Sequence, residues 1–274
     1  MTPRSISRYA SFTDDLRTLS TVQLPFGIVI WLCLTLTCCL SACSRTFRPA
    51  NVDADNPLAE FRYSCESLDS ATVAKVLPQL ERLYGGNLAA EHYRDKLLAA
   101  MSFYPDLTDV PIRLVQRKLR TSMAARPHAF RFNGARRGYT IYVDDVRQKA
   151  ADFRNASYAA QVGCFIHELG HIAYYVTRSN LGLVGDGAAY VTNQSFKNGY
   201  ERIADRMAIH HGGGYYVYLY RTFTFEEAEL PPAYLAFKRR NYTDNQALLA
   251  RHIEYLQENS LEKCVEYWEP VEAE

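Results

Sequence analysis

The chain predicts an α+β fold: a mostly helical domain with a small antiparallel or mixed β-sheet just upstream of one central helix. Three patterns carry that reading. Apolar residues recur at spacings of three and four from Val162 to Val176, the period of a helix. Extended patterns rich in β-branched and aromatic residues are confined to Ile112–Val143. Helical patterns stand before and after that stretch. With 48% apolar and 13% aromatic residues in 274, the chain has the material for one sizeable core.

The first element is a leader. Arg4, Arg8 and Arg17 precede a stretch free of Lys, Arg, Asp and Glu that lasts until Arg45, and Val22–Leu40 is largely apolar. A basic start, an apolar run and a small-residue exit make an export signal. The exit, Leu40-Ser41-Ala42-Cys43, resembles the bacterial lipobox. That resemblance implies cleavage before Cys43 and a lipid on its sulfur. A membrane-spanning helix is the competing reading, since about 19 apolar residues nearly suffice to cross a bilayer. Either way the domain is expected outside the cytoplasm and tethered to a membrane. Ser44 resembles a signal for the outer membrane, facing the periplasm, in a cell with two membranes. The expected organisation is 1–42 signal peptide, 43–57 lipidated cysteine and tether, and 58–274 one domain. The tether reaches at most ~45 Å when extended.

Three basic and two acidic residues leave with the signal, and 28 of each remain. A near-neutral domain gives no ground for strong steering by charge. Eight basic and no acidic residues lie between Asp109 and Asp144, interleaved with Phe130, Phe132 and Tyr139. An exported protein has little access to nucleic acid, so a solvated strand face or attraction to anionic headgroups explains them better. Of the cysteines beyond Cys43, Cys65 and Cys264 are a candidate disulfide, closing a loop of roughly 200 residues worth about 4–5 kcal/mol by chain entropy. Cys164 reads as a small buried apolar residue.

Val73, Val76, Leu77, Leu80, Leu83 and Tyr84 make a helix stripe, kinked or started near Pro78 and ended by Gly85-Gly86. Asn87 is a candidate cap for a second helix stopping near Pro105. Strands are expected at Ile112–Val115, Phe130–Phe132 and Tyr139–Val143, with Asn133-Gly134 as a turn. Asn155 or Ser157 caps the central helix, which ends near Arg178-Ser179-Asn180. Glycines 182, 185 and 187 mark a loop able to move over a cleft, or simple turns. A further helix runs from about Tyr200 to His211 and stops at Gly212-Gly213-Gly214. In the tail, Thr243 or Asp244 caps a stripe of Leu248, Leu249, Ile253 and Leu256. Leu261, Val265 and Trp268 form a last packing segment.

The chemistry sits on the central helix, in His167-Glu168-Leu169-Gly170-His171. Positions four apart share a helix face, so both imidazoles can bind one ion, while Glu168 projects toward its open position as a base. Thirty residues on, Tyr200-Glu201-Arg202-Ile203-Ala204-Asp205 offers a third ligand. Two histidines and one carboxylate leave a fourth tetrahedral position for water, the arrangement of a catalytic zinc. Asp205, one turn beyond Glu201, can hydrogen-bond a liganding histidine and fix its tautomer. Asp186, between glycines, is a poorer candidate ligand. Without the upstream motif, Glu201 and Asp205 read as a solvated face paired with Arg202 and Arg206.

HELGH followed by E-R-I-A-D resembles the gluzincin metallopeptidases, over about fifty residues from Val162 to His211. The resemblance implies Zn²⁺ on His167, His171 and Glu201, Glu168 as general base, Asp205 as partner to a ligand, and peptide-bond hydrolysis in an envelope protein or peptide. Tyr200 departs from the asparagine that often precedes the glutamate. In zincins a strand just upstream of the metal helix pairs with extended substrate, and Tyr139–Val143 holds that position; an ordinary sheet strand is the plain alternative. His211 is the expected oxyanion donor, being about 80° from Glu201 around an ideal helix, with Tyr190, Tyr215 and Tyr216 as rivals. Two other classes stay open: an inactive zinc-binding envelope module, and a structural domain with a chance motif.

Overall fold

The computed structural model describes residues 55–128, 137–146 and 152–259. All of them lie in Pro49–Glu274, one of two units into which the chain divides. The leader, Cys43, Phe130–Phe132, Asn133-Gly134, Cys264 and the final packing segment lie outside the described residues. Cys65 is disulfide-bonded, and Cys164 is a free, buried thiol. Among the described residues, no helix is long and apolar enough to cross a membrane.

The architecture is α+β. Helix α1 (Ser70–Tyr84) starts where Asp69 accepts a 2.6 Å hydrogen bond from the Thr72 amide. It runs unbroken through Pro78, so that proline does not start it. Asn87 caps nothing. It lies in a 3₁₀ turn and donates to the Thr108 carbonyl, and helix α2 (Arg94–Met101) begins beyond it. Among the described residues, four strands, β1 (Leu88–Ala89), β2 (Ile112–Arg117), β3 (Met123–Pro127) and β4 (Tyr139–Asp144), form a mixed sheet ordered β1-β2-β4-β3. β2 pairs parallel with β1 and β4, while β3 pairs antiparallel with β4.

This order corrects the expected substrate edge. β4 is an internal strand, hydrogen-bonded on both sides, and the edge strand next to it is β3. Ala124-Ala125 gives β3 little β-propensity, which hid the strand in the sequence. The outward edge is also already engaged: the Ala125 amide donates to Glu168 at 2.6 Å, and its carbonyl accepts from the Tyr175 hydroxyl at 3.2 Å.

Helix α3 (Tyr158–Val176), capped by Ser157, is the centre of the core. The sequence predicted one buried stripe, but 15 of its 19 residues are buried. The sheet edge, α2 and two later helices surround it, so even the face carrying His167 and Glu168 is enclosed. Gly163 lies where a Cβ would overlap the Tyr216 carbonyl; this is how the neighbouring helix comes so close.

Helix α4 (Asn180–Thr192), capped by Ser179, occupies the stretch expected to be a mobile glycine loop. Its glycines lie inside a helix, so the loop reading is corrected. The inward Leu183 and Asp186 outweigh the cost of the glycines. Helix α5 (Gln194–His210) is capped by Asn193, and Gly212 takes the left-handed φ of 83° that ends it. Helix α6 (Gly214–Thr222) runs into a π turn at Phe223–Glu227. Helix α7 (Pro232–Asn241) follows, then α8 (Asn245–Glu258), whose cap is Asp244 rather than Thr243.

Candidate metal centre

His167 and His171 project from adjacent turns of α3, and Glu201 comes from α5. Gly170 lets the two helices meet, because a Cβ there would sit 2.6 Å from the Ala204 carbonyl oxygen. Glu201 Oε2 then lies 3.4 Å from His167 Nε2 and 3.5 Å from His171 Nε2. Metal–donor bonds of 2.0–2.1 Å at tetrahedral angles require donors about 3.3–3.4 Å apart, so the observed separations fit one ion. All three donor atoms lie within 4.8 Å of one another, and the residues are buried. This group can hold a metal ion, and the donor set of two imidazoles and a carboxylate fits a divalent transition metal.

The surroundings fix each donor. Asp205 Oδ1 lies 3.0 Å from His167 Nδ1 and accepts a 2.8 Å hydrogen bond from Arg221. That contact directs the other ring nitrogen, Nε2, at the ion's position. Tyr190, on α4, donates to Glu201 Oε1 at 3.2 Å, leaving Oε2 for the histidines. Tyr200 stacks on the His171 ring at 4.7 Å. His171 Nδ1 is buried without a hydrogen-bond partner among the described residues.

Electrostatics follow from these contacts. Burial lowers the basicity of His167, but hydrogen bonds to Asp205 and Glu201 outweigh it and push the imidazole up to about 9. Burial raises the Glu201 carboxyl, yet the two histidines hold it well below the usual carboxylate range. Asp205 behaves alike: burial raises it, and Arg221 and His167 more than offset that. These contacts favour the charged forms of His167, Glu201 and Asp205.

Glu168 is at the site, 6% exposed. It shares with His167 a small cavity of about 20 Å³, room for roughly one water. Arg221, Lys238 and Tyr242 line it too. The Tyr242 ring lies 5.9 Å from that of His167, with the Arg221 guanidinium 4.2 Å and the Lys238 ammonium 4.5 Å from its centroid. Burial first, then the Arg221 charge, brings the Lys238 amine down to about 8. A larger cleft of about 380 Å³, lined by Asp144, Phe153, Glu229 and Tyr234, shares Thr121 and Ser122 with the small cavity.

Other candidates stand elsewhere. His211 is buried, and its ring packs on Tyr104 at 4.2 Å, with Nδ1 3.7 Å from Asp106. Ten residues of helical rise, about 15 Å, separate it from Glu201, so its favourable angle around the axis does not bring it to the metal group. Burial and the Arg62 cation lower it to about 3. Asp186 is bound by Arg178 and the Tyr174 hydroxyl at 2.9 Å and takes no part in the group. Tyr216 hydrogen-bonds the Glu66 carbonyl, and Tyr215 stacks on Tyr218. Lys238, Tyr242 and the Ala125 amide escaped the sequence reading. The cluster His-Glu-x-x-His alone points to none of them, because each depends on long-range packing.

Comparison with protein-family models, curated proteins and solved structures finds no match to this chain.

Proposed function

We propose that this chain is a zinc-dependent metallopeptidase of the gluzincin kind, anchored by lipid on Cys43 to a membrane of the cell envelope and acting on peptides or proteins there. The observation that carries the reading is the donor spacing: Glu201 Oε2 sits 3.4 and 3.5 Å from the two Nε2 atoms, and Glu168 shares with His167 a cavity sized for one water. Zinc suits two imidazoles, one carboxylate and a position for water. The export-type leader and Leu40-Ser41-Ala42-Cys43 support the location.

A zinc ion held by His167, His171 and Glu201 supplies Lewis acidity, polarising a carbonyl and making water more acidic. The protein does the rest. Asp205 holds the His167 ring in the tautomer that presents Nε2. Tyr190 keeps Glu201 turned toward the histidines. Glu168 takes the proton of the attacking water on Oε1 and passes it to the leaving amine, while Oε2 keeps the Ala125 amide. The 380 Å³ cleft beside it has room for a substrate side chain.

One feature favours the second reading, an inactive metal-binding module of the envelope: His167, Glu168, His171 and Glu201 are each at most 6% exposed, so a polypeptide needs an opening movement to reach them. A Glu168→Gln variant separates the two readings. For the enzyme, it keeps its zinc while cleavage of an unfolded protein falls at least about 100-fold. If wild type and variant bind zinc alike and neither cleaves, the binding module is the better account.

A further inference from the structure

Two cations line the cavity that His167 and Glu168 share, Arg221 and Lys238. Arg221 is committed to Asp205 at 2.8 Å. Lys238 has no carboxylate at ion-pair distance among the described residues, though it is only 7% exposed. Its ammonium contacts the rings of Tyr242 at 4.5 Å and Tyr234 at 5.7 Å. Ring faces offset only part of the cost of taking an ammonium out of water. Helix α7 gains little else from it: only Lys238 and Asn241 of that helix are buried, so the lysine is an expensive anchor where leucine or methionine would pack better. A cation without a carboxylate partner among the described residues, lining the same one-water cavity as a catalytic base, is placed to meet a negative charge that exists only during reaction.

We propose that Lys238 is a catalytic residue that receives the charge developing on the substrate carbonyl oxygen, the task the sequence reading gave to His211. The inference rests on the peptidase reading. As the water oxygen bonds to the carbonyl carbon, the π pair of the C=O moves onto oxygen and Glu168 takes the water proton. The Lys238 ammonium donates a hydrogen bond to that anionic oxygen. When the C–N bond breaks, the pair returns to re-form C=O, and the amine leaves with the proton from Glu168. Preorganised donors of this type stabilise the transition state more than the ground state. Arg221 is held by Asp205, and Tyr190 by Glu201, so neither is as free to serve.

The test uses the full chain loaded with zinc, with Lys238→Met and Lys238→Arg variants. The readouts are metal content, thermal midpoint, kinetics on an end-blocked fluorogenic peptide, and affinity for a phosphinic peptide that mimics the tetrahedral anion. Lys238→Met is expected to keep its zinc and melt no lower than wild type. Its kcat should fall about 100-fold or more with KM within about threefold, and the phosphinic peptide should bind about 100-fold more weakly. Lys238→Arg should recover at least about a tenth of the lost rate. A variant that cleaves and binds the phosphinic peptide like wild type overturns the proposal. So does one whose rate and melting midpoint drop together without rescue by arginine. A wild-type chain that holds zinc and cleaves nothing brings down the peptidase reading itself, and the proposal with it.

Discussion

Gly170 presents a bare Cα to the backbone of Ala204, so close that a Cβ would lie 2.6 Å from the Ala204 carbonyl oxygen. That approach joins the two halves of the metal group, since Gly170 sits between the liganding histidines and Ala204 precedes Asp205. Gly170→Ala has no flexible side chain to displace, only backbone. The variant is expected to lose about 1–3 kcal/mol by overpacking and to bind metal more weakly, because the helices must part. Denaturant midpoints with and without zinc check this; an unchanged metal affinity would show that the crossing does not set the donor spacing.

Asp205 serves two cations at once, the His167 ring at 3.0 Å and Arg221 at 2.8 Å, and is 1% exposed. Removing its charge leaves a buried guanidinium uncompensated. Asp205→Asn should cost about 3–5 kcal/mol of stability and lower metal affinity about 10–100-fold. Isothermal titration of the purified variant measures the second effect. Wild-type affinity would mean that the His167 contact is incidental.

Metal binding should depend on pH through His167, whose imidazole is pushed up to about 9 in the metal-free protein. The raised value stabilises the metal-free fold fully below the ordinary histidine range, and that contribution disappears as pH rises through about 9. The depressed Glu201 carboxyl works the other way, contributing above the usual carboxylate range and less as pH falls through its lowered value. Because an ion must displace the His167 proton, apparent affinity should rise roughly tenfold per pH unit from about 6.5 to 9, then level off. Competition titration with a chromophoric chelator reads this slope, and a flat profile over that interval contradicts the assignment.

Access to the site should run through α7. Lys238 and Asn241 are its only buried residues, and Gln194 holds Asn241 at 2.6 Å, so little apolar area is exposed when it lifts. Amides of α7 should exchange with deuterium well before those of α3, where most residues are buried. Equal protection of both helices would leave the substrate without this route.

The helical core was legible because its signals are local. His167, Glu168 and His171 lie within one and a half turns, and caps such as Ser157 and Asp244 stand next to the helices they begin. Helix α4 was not legible, since three glycines resemble a loop and only Leu183, Asp186 and Tyr190 packing inward make it a helix. β3 was hidden by its alanines, and the order β1-β2-β4-β3 depends on pairings between distant segments. His211 stands apart for a geometric reason: its angle around the axis suits the metal group, but ten residues of rise carry it about 15 Å from Glu201. Lys238 and Tyr242 reach His167 only through folding, so no spacing rule could find them.

The most direct test is the metal content of the full chain, by mass spectrometry of the element, for wild type and Glu201→Gln after dialysis against a weak chelator. Three donors gathered from two helices predict about one zinc per wild-type chain and less than about a tenth in the variant. A wild-type chain without metal, or a variant that keeps as much as wild type, contradicts the account.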